Sequence, residues 1–205
     1  MRYLLLSSCL LIFVGCGSAY KHLQKMEGEA LCLDKFRPQF TTTMYTTRVN
    51  IVGNYLSGLL VIKTMPDSST RLVFTSEMGL SLFDFEFAAN GDFKVYYIIK
   101  KMNRKAVIKT LRQDFELVIM RKLNMQAAYT FRNNDRIYYS FPQKKGSNYY
   151  ITDLNCDTLT GIEKASKRKA VVKVVMQDYK NGVPDTIGIS HTNFQFTIGL
   201  KRLWR

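Results

Sequence analysis

From Met44 onward, hydrophobic and polar residues alternate with a period of two, the pattern of strands with one buried face. Leu56, Gly58, Leu60 and Ile62 alternate with Tyr55, Ser57, Leu59 and Val61. The sharpest alternation is Phe83-Asp84-Phe85-Glu86-Phe87, with one aromatic face and one acidic face. Met65-Pro66-Asp67-Ser68-Ser69 and Ala89-Asn90-Gly91-Asp92 have turn composition. The segments near 48–52, 55–63, 72–74, 83–87 and 93–99 therefore predict a meander with tight turns. Further strands are predicted at 128–131, 136–141, 149–153, 158–163, 169–179, 186–190 and 193–200, about eleven or twelve in all.

Two segments depart from this period. Val107, Ile108, Leu111, Phe115, Val118 and Ile119 share one helical face, with Asp114 at its edge. They predict an amphipathic helix over 103–121, with Asn103 as its cap. Tyr20, Leu23, Met26 and Ala30 share a face and predict a helix over 20–36, weakened by Gly28 and ended by Pro38. The expected fold is mainly β with helices. It is a curled antiparallel sheet, an incomplete β-barrel of about eleven strands, with an amphipathic helix across its concave face. One helix covers little of such a face, which leaves a cavity for an apolar ligand; a filled core is the alternative.

The first residues follow another pattern. Arg2 precedes the short apolar run Leu4 to Val14, which has the dimensions of a signal-peptide core and is short of the roughly 20 residues of a bilayer span. Phe13-Val14-Gly15-Cys16 resembles a bacterial lipobox, which implies lipidation of Cys16; an ordinary cleavage site near Ser18 or Ala19 is the alternative. The expected division is a signal peptide at 1–15, a lipidated N-terminus and helical lead-in at 16–43, and one domain at 44–205. Gly17 is not an inner-membrane retention Asp, which favours an outer-membrane anchor facing the periplasm.

Thirty Lys and Arg against sixteen Asp and Glu give a formal charge of +14. The basic residues cluster at Lys100-Lys101 with Arg104-Lys105, at Lys144-Lys145, at Lys164 with Lys167-Arg168-Lys169, and at Lys201-Arg202 with Arg205. An exported protein meets little nucleic acid, so no nucleic-acid partner is expected; each cluster alone reads as solubility, and together they suit anionic lipid headgroups. His22 and His191 are the only histidines. Adjacent strand residues face opposite ways, so Ser190 and His191 do not form a nucleophile and base, and His191 reads as a turn residue. No catalytic site, metal site or cofactor is expected. Cys32 and Cys156 can pair in an oxidising compartment, tying the N-terminal helix to a late strand; two separate buried thiols are the favoured alternative.

Three stretches resemble the LolA/LolB superfamily of lipoprotein carriers, and most closely its LolB branch. They are Tyr55 to Lys63, Phe74 to Phe83, and Val183 to Ile189 followed by Phe194 to Leu200 and Trp204. The resemblance implies a half-barrel whose apolar cavity holds acyl chains. Met78, with Leu80, stands where the family projects a leucine toward the membrane. Phe83, Phe85, Phe87, Leu111, Phe115 and Val118 are the expected cavity lining. The implied partners are membrane lipid, acyl chains and a periplasmic lipoprotein carrier. The competing function is a non-catalytic structural or interaction lipoprotein of the envelope.

Overall fold

The computed structural model describes residues 18–121 and 123–204. Cys16 and the apolar leader lie outside the described residues. The strands are β1 (Gln24–Met26), β2 (Thr42–Ile51), β3 (Asn54–Thr64), β4 (Thr70–Ser76), β5 (Ser81–Phe87) and β6 (Phe93–Ile98). The helix α1 (Lys105–Val118) follows. Then come β7 (Tyr129–Arg132), β8 (Ile137–Pro142), β9 (Ser147–Thr152), β10 (Leu159–Ala165), β11 (Ala170–Lys180), β12 (Val183–His191) and β13 (Phe196–Arg202).

All thirteen strands form one sheet in the order β1-β7-β8-β9-β10-β11-β12-β13-β2-β3-β4-β5-β6. Every pairing is antiparallel, and β1 and β6 are unjoined edges, so the barrel is incomplete. The chain leaves the β6 edge, passes through α1 and enters β7 beside the other edge. The helix touches strands from both halves of the sheet. Phe115 packs on Phe83 of β5, and Arg112 lies over Phe93 of β6. Gln113 accepts from Lys164 of β10, and Asp114 pairs with His191 of β12.

The alternation read from sequence sets the register. Gly58, Leu60 and Ile62 face the core, as do Leu72 and Phe74 of β4 and Phe83, Phe85 and Phe87 of β5. A Cβ at Gly58 would lie 1.9 Å from the Thr75 carbonyl oxygen, so the glycine of the Tyr55-Leu56-Ser57-Gly58 stretch permits the close approach of β4.

The predicted helix over 20–36 is not present. Tyr20 stacks on Tyr149 and donates to Glu163, Gln24–Met26 forms the extra edge strand, and only Ala30–Phe36 is helical, as 3₁₀ turns. Its 3.6-residue spacing is overridden by pairing with β7 and by the Gly28 carbonyl, which accepts from Thr130. The second helix is shorter than 103–121. Asn103 is not its cap; Arg104 is, and its side chain makes no capping bond.

Candidate functional site

An apolar cavity of about 480 Å³ lies between the sheet and α1, lined on the helix by Val107, Leu111 and Phe115, within the usual range of roughly 300–1,000 Å³ for ligand sites. Its inner wall is Leu60, Phe74, Phe83, Leu111, Phe115, Phe196 and Ile198. Its exposed lining residues are Val52, Asn54, Tyr55, Lys101 and Arg104, which therefore mark the mouth. A smaller cavity of about 150 Å³ flanks the first half of the helix, between Ala106, Val107, Thr110, Phe194 and Phe196.

Strand register brings several turns to the mouth. Ile51 pairs with Asn54, Gly58 with Ser76, Thr75 with Ser81, and Phe196 with Ile51. The β2–β3, β4–β5 and β12–β13 turns thus lie at one end of the sheet. The β8–β9 and β10–β11 turns join them, because Ala165 pairs with both Ser147 and Ala170, and Val172 pairs with His191. Among the described residues, the four most exposed large apolar side chains are Met78, Val52, Tyr55 and Leu80, and all four are at this end. Gly79, at φ +77°, closes the β4–β5 turn through its N–H to the Ser76 carbonyl and leaves Met78 at the tip, 86% exposed. Val52 and Gly53 form a two-residue turn with φ of +46° and +76°. Asn-Gly suits such a turn, and a β-branched residue there is strained by about 1–3 kcal/mol.

The expected lining residues divide into two groups. Phe83, Leu111 and Phe115 reach the cavity. Phe85, Phe87 and Val118 do not; they are fully packed in the core. β5 runs away from the mouth, so Phe85 and Phe87 meet Phe93, and Arg121 covers Phe87. Met78 and Leu80 are exposed at the turn and do not line the cavity. A disulfide joins Cys32 to Cys156 across a Cα separation of 6.5 Å, away from the cavity, rather than two separate thiols. The sequence pattern does not single out Val52, Tyr55, Leu56 and Val107 as lining, and it shows Lys101 and Arg104 only as part of a basic cluster. Apolar Val52 in a turn position was the available signal.

His191 is not a turn residue. It ends β12, buried between Phe194 and Phe196, with Nε2 2.9 Å from Asp114 Oδ2. Burial pushes the Asp114 carboxyl above the ordinary carboxylate range, against the opposing pull of its bond to His191. Asp84 and Glu86 each have a cation partner. Arg71 makes two bonds of 2.9 and 2.7 Å to Asp84, and Glu86 is held by Lys94 at 3.3 Å and Tyr96 at 3.0 Å. These contacts bind one strand to the next. Among the described residues there is no cluster of three His, Cys, Asp or Glu side chains able to hold a metal, and no helix long and apolar enough to cross a membrane.

No family model matches the sequence, and no curated protein matches it. Solved structures similar over most of the chain include the following two. One is a DUF1329 family protein from Desulfovibrio piger, with 10% identity and a TM-score of 0.47, covering 85% of this chain and 88% of that one. The other is a putative outer membrane lipoprotein-sorting protein domain from Vibrio parahaemolyticus, with 7% identity and a TM-score of 0.48, covering 84% and 88%.

Proposed function

We propose that this protein handles lipid: it holds an acyl chain in the cavity beneath α1 and exchanges it with a membrane through the end of the sheet where the cavity opens. The observation that carries the reading is that coincidence of mouth and exposed apolar turns. An apolar cavity supplies a dry site for a chain, and Met78, Val52, Tyr55 and Leu80 supply side chains that gain by entering a lipid surface.

Three of the four basic clusters lie at the same end. They are Lys100-Lys101 with Arg104-Lys105, the Lys144-Lys145 turn, and the Lys167-Arg168-Lys169 turn, where cations gain from anionic headgroups. Ala19, three residues after Cys16, donates its N–H to the Arg168 carbonyl at 2.8 Å on this end. An acyl anchor on Cys16 would then attach the chain at the same end of the sheet as the mouth. In this reading Met78 and Leu80 are the membrane-facing loop, Cys16 is lipidated, and the protein is an outer-membrane lipoprotein of LolB-like activity that receives cargo from a periplasmic carrier.

The test is uptake of a fluorescent fatty acid by the purified protein, with native mass spectrometry for co-purified acyl chains. Uptake is expected, and Val107→Trp, which fills the cavity from the helix side, should abolish it with the fold intact. No uptake and no co-purified chain would contradict the reading and favour a structural role in the envelope.

A further inference from the structure

The mouth of the cavity has a chemistry that the acyl-chain reading does not require. An amphiphile whose tail occupies the apolar interior must leave its polar end among Asn54, Lys101 and Arg104. Among the described residues neither Lys101 nor Arg104 has an ion pair or side-chain hydrogen bond, and the mouth carries no carboxylate.

The same place is the start of α1. Helix starts favour a side-chain acceptor at the cap and acidic residues in the first turn, because the leading N–H groups are unpaired and the helix dipole is positive there. Here the cap is Arg104, the first helical residue is Lys105, no side chain caps, and no acidic residue lies in the first turn. Two cations, Lys101 and Arg104, thus stand at the opening of an apolar cavity, and a third, Lys105, begins the 14-residue helix there. This arrangement is electrostatically unfavourable when empty and becomes favourable when an anion sits at the mouth.

We propose that the ligand of this cavity is an anionic amphiphile, with an acyl tail inside and a carboxylate or phosphate head held by Lys101, Arg104 and the first turn of α1. The inference rests on the acyl-chain reading and adds the charge of the head. Met78 and Leu80, which do not line the cavity, have no part in it.

The test uses the full mature chain and two monomeric ligands with the same oleoyl tail, lysophosphatidylglycerol and 1-monooleoylglycerol, measured by calorimetry below their critical micelle concentrations. The anionic ligand should bind about ten-fold or more tightly, since hydrogen bonds to a charged partner are the stronger kind. Lys101→Gln with Arg104→Gln should reduce it to the affinity of the neutral ligand, which itself should not change. Lys144→Gln with Lys145→Gln, at the same end but away from the mouth, should leave the preference intact.

Equal binding of the two ligands by the unaltered protein would overturn the head site and leave the acyl-chain reading standing. A preference lost equally in the Lys144 and Lys145 variant would overturn it in favour of general surface attraction. Glycerol 3-phosphate binding as tightly as the whole lipid would show a free-phosphate site and overturn the tail-in-cavity assignment. Binding of neither lipid would overturn both readings.

Discussion

The two halves of α1 meet the sheet in different ways. The second half is fixed: Leu111, Asp114, Phe115, Leu117 and Val118 are buried, Asp114 pairs with β12, Gln113 with β10, and Arg112 lies over Phe93 of β6. The first half has none of these ties. Lys105 and Ala106 are exposed, Val107 and Ile108 are half-buried, and cavities lie on two sides of Val107. The difference is that one end of a short helix is packed into the core while the other lies over unfilled space, where the proposed function needs a movable cover. Packing that is incomplete beneath the first half leaves a space whose inner wall is made of core residues such as Leu60, Phe74 and Phe83.

The largest expected effect comes from truncating the two halves in turn. Phe115 is 1% exposed and rests on Phe83 with ring centres 6.1 Å apart. Phe115→Ala should cost about 3 kcal/mol, the low end of the range for buried aromatics, because one side of the ring already faces the cavity. Val107→Ala should cost less than about 1 kcal/mol, since its contacts are already partial. Urea denaturation of both variants measures the contrast, and equal losses would break it.

A second effect belongs to the fixed half and depends on pH. Burial raises the Asp114 pKa in the folded state above its ordinary 3.8, so the folded state holds the proton more tightly than the unfolded chain does. The stability tied to that proton is full below the ordinary value and is lost as pH rises through the folded pKa. Asp114→Asn does not titrate and can still hydrogen-bond His191 Nε2, as acceptor through its oxygen or donor through its amide nitrogen. Its stability relative to the unaltered protein should therefore increase as pH rises from about 4. Urea midpoints across a pH series measure this, and a difference that does not vary with pH would contradict it.

The smallest effect on stability is expected at the rim. Met78→Glu alters an exposed turn tip and should leave the melting temperature and fatty-acid uptake nearly unchanged. Transfer of the bound chain to liposomes should fall clearly. A stable variant with undiminished transfer would remove Met78 from the membrane-facing role.

The sheet from β2 onward was legible in the sequence because most of its strands carry their own evidence. Leu56 to Ile62 and Phe83 to Phe87 show which face is buried without reference to any partner. The stripe from Val107 to Ile119 does the same for α1. Features that depend on distant contacts were not legible. Tyr20 has helical spacing with Leu23 and Met26, yet its position is set by Tyr149 and Glu163. Phe83, Phe85 and Phe87 are equivalent in pattern, and only the direction of β5 relative to the mouth separates the cavity wall from the core. His191 gave no local sign of Asp114, which lies 77 residues away. Lys101 and Arg104 were visible as charge, but their place at an opening depends on register across β2, β3 and β13.

Amide hydrogen exchange along α1, with and without oleate, tests the central claim most directly, because it reads both halves of the helix in one molecule. Residues 105–110 should exchange quickly in the empty protein and become protected on loading. Residues 114–118 should exchange slowly in both states. Uniform protection along the helix, unchanged by oleate, would contradict the account of a movable first half over an acyl-chain site.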